Sequence, residues 1–194
     1  MKLSALEIAD AWVASSDIHL DSRGSFTEWF HLADITRETS RQFNVAQANH
    51  SVSEKGVLRG LHFSLAAENQ SKWINCISGS IQDVLVDFRR NSPTFLKYQS
   101  IVLNSRHPKY IYIPHGVGHG FLSLEENTSV VYLMSSNYDS NFEYTMNPFD
   151  KSLNIEWQPE DYVLSERDSN AKDLSYFTTE NLLPIYAEHL ESNN

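Results

Sequence analysis

Trp73-Ile-Asn-Cys-Ile-Ser78 runs through Gly79-Ser80 into Ile81-Gln-Asp-Val-Leu-Val-Asp-Phe88. Trp73, Asn75 and Ile77 alternate with Ile74, Cys76 and Ser78, the two-residue period of a strand whose side chains point to opposite faces. Gly79-Ser80 suits a tight connection into the next apolar run. The same reading extends downstream. Asn91-Ser92-Pro93 breaks the chain before a strand expected over 95–103, Tyr110-Ile-Tyr-Ile113 leads into Pro114-His115-Gly116, and residues 129–135 form another run. Short strands about ten residues apart, split by Gly, Pro, Asn and Ser, predict an antiparallel sandwich or barrel. The fold class is all-β.

Upstream, Gly56-Val-Leu-Arg-Gly-Leu-His62 is the segment with the most chemistry. On a regular strand Leu58, Gly60 and His62 share one face and Arg59 takes the other, unless Gly60 marks a bulge, as a glycine inside a strand often does. Gln47, Asn49 and Ser51 stand two apart just before it, so one face of that segment is a polar ladder. With Lys72 downstream, ladder, arginine, histidine and lysine read as the lining of a pocket. Asp21-Ser-Arg-Gly24 is a turn signal, and Phe26, Glu28 and Phe30 then alternate as on a strand. A short helix is expected over 31–42, and a second around 184–190, where Pro184 suits a first helical turn.

The 194 residues are most simply one domain, 1–194, with a peripheral tail from about 176 to 194. The formal charge of −10, from 15 Lys+Arg against 25 Asp+Glu, argues against a nucleic-acid partner, because a phosphate-backbone reader presents a basic face. A phosphorylated small molecule needs only a local cationic cluster and stays open. Cys76 is a single cysteine in an apolar context, read as a small buried hydrophobe in a reducing compartment. Neither a basic-then-apolar leader nor a membrane-length apolar run stands out, so no membrane partner is expected and the cytoplasm is the expected location.

Four features can carry chemistry. His115-Gly-Val-Gly-His119 holds two histidines that, with His62, can form a three-ligand metal site on a β scaffold; the competing reading is a turn with an exposed His115, and His119 as the pocket residue. Tyr132 lies in Val130-Val-Tyr-Leu-Met134 and is either core or a shielded proton donor. Leu164-Ser-Glu-Arg-Asp168 is either a solvated loop or the source of a carboxylate that orients a histidine. Tyr138 and Glu143 follow the last core strand and read as surface residues.

In combination these pieces resemble the dTDP-4-dehydrorhamnose 3,5-epimerases, especially the actinobacterial ones, over about residues 10–184. The resemblance rests on Asp21-Ser-Arg-Gly24 with Phe26 and Glu28, Gln47-Ala-Asn49-His-Ser51, Lys55-Gly-Val-Leu-Arg-Gly-Leu-His62-Phe63 and Gln70-Ser-Lys72. It continues through Asp83 to Asp87, Ser92-Pro-Thr-Phe95, Ile113-Pro114, Gly118-His-Gly-Phe121, Tyr132, Tyr138, Glu143 and Ser165-Glu-Arg-Asp168. Each piece is common by itself; the ordered set is specific.

The resemblance implies a cupin-like jelly roll (a double-stranded β-helix) with a few short peripheral helices, and a dimer whose N-terminal strands cross to the other subunit. It implies an isomerase that inverts carbons 3 and 5 of dTDP-4-dehydro-6-deoxy-D-glucose. His62 is then the base, Asp168 its orienting carboxylate, Tyr132 the acid on the other side of the ring, and Lys72 the cation at the developing enolate oxygen. Arg23, Phe26, Glu28, Gln47, Asn49, Arg59, His119, Tyr138, Glu143 and Arg167 are assigned to substrate binding. No metal or other cofactor is implied, because the ketone is the electron sink. Ser64-Leu-Ala-Ala-Glu-Asn69 departs from the family's usual glutamine and proline at this point, beside the pocket. The alternatives are inversion of carbon 3 alone on a related 4-keto sugar, a metal-dependent cupin enzyme, and a non-catalytic sugar-nucleotide binder.

Overall fold

A computed structural model describes residues 1–66 and 70–186. In chain order the elements are β1 (Lys2–Ala5), β2 (Trp12–Ser15), β3 (Ile18–Asp21), β4 (Gly24–Thr27), α1 (Leu32–Thr39), β5 (Gln47–Ser53), β6 (Leu58–Ser64) and β7 (Lys72–Ser78). They continue as β8 (Ser80–Asp87), β9 (Tyr98–Asn104), β10 (Tyr110–Ile113), β11 (Val117–Ser123), β12 (Thr128–Met134), β13 (Glu143–Thr145), α2 (Glu166–Ser169) and α3 (Leu174–Thr179). A six-stranded sheet runs β1-β2-β10-β7-β12-β5 and a five-stranded sheet runs β13-β6-β11-β8-β9, with antiparallel pairing throughout. The two face each other as a cupin-like jelly roll.

Ile74, Ile111 and Val130 from the first sheet meet Ile81, Leu85, Leu103 and Phe121 from the second, which makes the central core. Both outer faces are covered as well. Leu61, Phe63, Val84 and Phe88 pack against Met146, Leu153, Leu174, Phe177 and Leu183 from the C-terminal segment. On the other side Trp73, Tyr110 and Tyr112 pack against Ile35 of α1 and Phe43. β8, with Ile81 and Leu85 in the central core and Val84 and Val86 under the C-terminal cover, is buried along its whole length. Each large apolar side chain so covered contributes about 1.5–3 kcal/mol.

Several sequence expectations change here. β7 and β8 are joined by Gly79 alone, yet they belong to different sheets, so the tight connection is a crossing between layers. The strand expected from residue 95 starts at Tyr98, because Leu96 takes a positive φ of 61° and its N–H donates to the Asp87 carbonyl at 2.8 Å. β4 ends at Thr27, and Phe30 leaves strand geometry to pack 5.8 Å from Phe43 and 6.0 Å from Trp73. The first helix lies inside its expected bounds. The last does not form over 184–186: Pro184 and Tyr186 hydrogen-bond Arg90 in an extended bridge, and the rest of 184–190 lies outside the described residues. The stretch from 176 is also not peripheral up to residue 186, since Phe177 and Leu183 are core. Among the described residues no helix is long and apolar enough to cross a membrane.

Candidate active site

The site begins with an irregularity in β6. His62 pairs with His119 and Arg59 with Phe121, so three steps along β6 match two along β11. The extra residue is a bulge at Gly60, and it turns both Arg59 and His62 toward the face that carries His119 and Phe121. On a regular strand one of the two would point away.

The facing wall is the other sheet. Antiparallel register sets Asn49 opposite Tyr132 and Tyr132 opposite Ile74; one rung on, Gln47 stands opposite Met134 and Met134 opposite Lys72. Directly opposed residues share a face, so the polar ladder, the tyrosine and the lysine all look into the sandwich. At this end the space between the sheets is a cleft rather than core. Its main cavity, about 460 Å³, is lined by Arg59, His62, Lys72, His119, Tyr132, Arg167 and Asp168. An adjoining cavity of about 220 Å³ shares His62, Lys72, Tyr132 and Arg167 and adds Gln47, Asn49, Tyr138 and Glu143.

Asp168 reaches the cleft on α2, a single turn capped by Ser165, whose Oγ accepts from the Asp168 N–H at 3.1 Å. The His62 Nε2 stands 2.7 Å from Asp168 Oδ1. Burial pushes the Asp168 carboxyl up, but bonds from His62, Ser165 and the Gly60 N–H outweigh it and hold the group below the usual carboxylate range. An ionised carboxylate only accepts, so Nε2 carries the proton of this pair. Burial lowers the His62 pKa; Asp168 offsets part of that, and Lys72 and Arg167 lower it further. The ring is therefore neutral near pH 7, with a lone pair on Nδ1.

Tyr132 is the opposite case. Burial raises its pKa, Glu143 adds to the rise and Arg59 opposes it, so the phenol keeps its proton. Burial lowers the Lys72 pKa, while Glu143 and Asp83 pull it back. A neutral imidazole on one wall and a protonated phenol on the other form an acid–base pair across a gap. A lysine and two arginines make the local cationic cluster that an anionic ligand needs. Arg167 is braced from Thr145 Oγ1 at 2.7 Å and the Glu143 carbonyl at 3.1 Å, and Arg59 from Ser53 Oγ at 3.1 Å.

Three assigned residues stay outside. Arg23, Phe26 and Glu28 are absent from the cleft lining. The β3–β4 hairpin that carries Arg23 and Phe26 pairs with neither large sheet, and it leaves Phe26 69% and Leu20 79% exposed. Arg23 bonds Asp21 at 2.6 Å.

Sequence reasoning also leaves Asp83 without a role. The structure buries it completely, with Oδ2 2.8 Å from His119 Nε2 and Oδ1 unpartnered among the described residues. Its signal is an acid inside an apolar run, one of two there with Asp87, since a buried carboxylate requires a partner. Ser51, a rung of the ladder outside the assigned set, lines the main cavity as well.

The three histidines of the metal alternative do not assemble. His62 and His119 each commit Nε2 to a carboxylate. His115 is half-buried rather than exposed; its Nδ1 accepts from the Gln70 N–H at 3.3 Å, and burial, aided by Arg89, lowers its pKa. Among the described residues one group of three could offer ligand atoms together, Glu28, His31 and Asp34. There Asp34 is already held by the Met1 amine at 3.0 Å and by Arg37 at 2.6 Å.

A family described as dTDP-4-dehydrorhamnose 3,5-epimerase matches residues 5–176. A dTDP-4-dehydrorhamnose 3,5-epimerase of Mycolicibacterium smegmatis is 40% identical over 190 residues, 97% of this chain and 93% of that protein. The solved structure of a Mycobacterium tuberculosis epimerase is similar with a TM-score of 0.92 at 39% identity, covering 96% of this chain and 94% of that one. A 3′-monoepimerase from Streptomyces bikiniensis, solved in complex with dTDP-quinovose, gives a TM-score of 0.89 at 38% identity over 93% of this chain and 92% of that one.

Proposed function

This chain belongs to the dTDP-4-dehydrorhamnose 3,5-epimerase family and is an epimerase; from that premise we propose that it inverts carbons 3 and 5 of dTDP-4-dehydro-6-deoxy-D-glucose, giving dTDP-4-dehydro-L-rhamnose. The observation that carries the assignment of roles is the placement of His62 and Tyr132 on opposing sheets across one cleft. Protons next to a ketone are removable when the enolate that forms is stabilised. Inversion requires the proton to return on the opposite face of the ring.

His62 Nδ1 takes the proton, and Asp168 stabilises the imidazolium that results. The electron pair moves onto the ketone oxygen, where the Lys72 ammonium offsets the developing charge. Tyr132 then delivers its phenolic proton to the same carbon from the far side. His62 has gained a proton and Tyr132 has lost one, so both reset by exchange with solvent before the second carbon reacts. Arg59, Arg167 and His119 hold the anionic nucleotide with Gln47, Asn49 and Glu143, and Tyr138, half exposed at the cleft rim, offers a flat surface to the base.

The free β3–β4 hairpin supports a dimer. A two-stranded ribbon is at best marginally stable alone in water, and Leu20 and Phe26 on it are bare. We infer that it docks on a second copy, so that Arg23, Phe26 and Glu28 complete the partner's cleft. The chain then acts as one jelly-roll unit per subunit.

The monoepimerase relative, 38% identical, keeps inversion of carbon 3 alone as the rival reading. Solvent label separates the two. In deuterium oxide the product should carry deuterium at both carbon 3 and carbon 5 by NMR; label at carbon 3 alone selects the rival, and label at neither ends the epimerase reading. In the same assay Tyr132→Phe should lose net inversion by about 10²-fold or more while retaining exchange on the base's own face. Equal loss of both would make the tyrosine a packing or binding residue.

A further inference from the structure

Gln70 has no role in the chemistry above, yet it is only 4% exposed and bonded at both ends. Its Nε2 donates to Glu143 Oε1 at 2.7 Å, and its backbone N–H donates to His115 Nδ1 at 3.3 Å. The next residue is fixed as firmly. Ser71 N–H donates to Ser135 Oγ at 2.7 Å, and the Ser71 carbonyl accepts from Ser135 N–H at 3.0 Å. Its Oγ lies 3.1 Å from the Tyr112 hydroxyl. Residues 70 and 71 are thus held immediately before Lys72.

Glu143, by contrast, begins a three-residue edge strand that pairs only with β6. A long carboxylate side chain on such an edge has several rotamers open to it. The bond from Gln70 is charge-assisted and selects one. In that position Glu143 lines the same small cavity as Lys72 and Tyr132. Charges in a half-buried cleft act on one another more strongly than in water.

We propose that Gln70 is a positioning residue: its amide holds the Glu143 carboxylate where its negative charge keeps the Lys72 ammonium and the Tyr132 phenol in their proton-bearing forms. The proposal rests on the reading of Lys72 and Tyr132 as reacting groups. The sign is the same for both. A nearby anion favours a cationic ammonium and disfavours a phenolate, so each group holds its proton to higher pH. Among the described residues the other charged or titratable groups facing this part of the cleft are Asp83 on β8, His119 on β11, His62 and Arg59 on β6, Arg167 on α2, Tyr138 after β12, and His115 before β11, whose Nδ1 accepts from the Gln70 backbone. A change at residue 70 leaves all of them chemically intact.

The test is the pH dependence of turnover in Gln70→Leu, which keeps the size and removes the amide. The alkaline limb of kcat should move to lower pH by about 0.5 or more, while kcat on the plateau stays within about threefold. A limb that does not move, or a uniform loss at every pH with a lowered melting temperature, would make Gln70 a packing residue and overturn the proposal. Glu143→Gln removes the charge itself and should move the limb at least as far, which covers the case of a poorly folded Gln70→Leu; an unmoved limb there overturns the proposal equally. The Lys72 Nζ can also be titrated by NMR without turnover. Its midpoint should fall in both variants, and a fixed midpoint ends the proposal even if the wild-type protein proves inactive on the sugar, an outcome that counts separately against the epimerase reading.

Discussion

His62→Ala should lower turnover by about 10³-fold or more, with dTDP affinity within about threefold of wild type. The base contributes only once a carbon–hydrogen bond begins to break, so its loss falls on kcat rather than on binding. Asp168→Asn should follow it. An amide keeps the shape of the carboxylate but cannot stabilise the imidazolium, and it leaves the proton on Nε2 without its charged acceptor, so a loss of about 10²-fold or more is expected. Turnover by NMR and dTDP binding by calorimetry check the pair; wild-type behaviour in Asp168→Asn would remove the orienting role.

The pH profile gives a second readout of the same dyad. Burial lowers the His62 pKa, so the neutral, reactive ring persists into more acid solution than a free imidazole would. The acid limb of kcat/KM should lie below about pH 6.5. Lys72 and Arg167 both push His62 in this direction, so replacing either cation should bring the limb back up.

Gly60→Ala should damage the scaffold severely. A Cβ there would lie 2.5 Å from the Gly120 Cα and 2.7 Å from the His119 carbonyl oxygen, on a backbone with a φ of +123°. Both obstacles are main chain and cannot swing aside. Backbone strain and overpacking together cost about 3–5 kcal/mol, and for a chain of this size the melting temperature should fall by about 10 °C or more. Activity should fall further than stability, because separating β6 from β11 also undoes the geometry of Arg59 and His62. Gly24→Ala is the control for the clash alone: its φ of +131° carries a similar backbone strain, but its new Cβ meets nothing within 4 Å. Melting of Gly60→Ala within about 2 °C of wild type would mean that the close approach does not hold this corner.

Much of this arrangement is legible in the chain. The two-residue alternation from Trp73 onward, the polar ladder 47–51 and the suspected bulge at Gly60 all correspond to observed features, because each depends on strand geometry alone. What the sequence hides depends on which surface covers which. The apolar run of β8 looks the same whether its outer face meets solvent or another layer, so the aromatic cover of one sheet and the C-terminal cover of the other go unseen. α2 has four residues, too few to show a helical period, although it carries Asp168. Asp83 is one of two acids in the apolar run of β8, and its partner on β11 is set only by sheet register. The free hairpin is legible as a turn, while the absence of any sheet beside it is not.

The division of the reacting groups between two sheets also bears on how activity is acquired. His62 and Asp168 are 106 positions apart, and Tyr132 lies between them on the opposite layer. No local segment can assemble even two of the three, so a chain with one finished sheet has structure but no partial activity. Such long-range pairing is also slow to form. During refolding, strand signals should therefore return before turnover, and turnover should rise as a single late phase that reports closure of the sandwich.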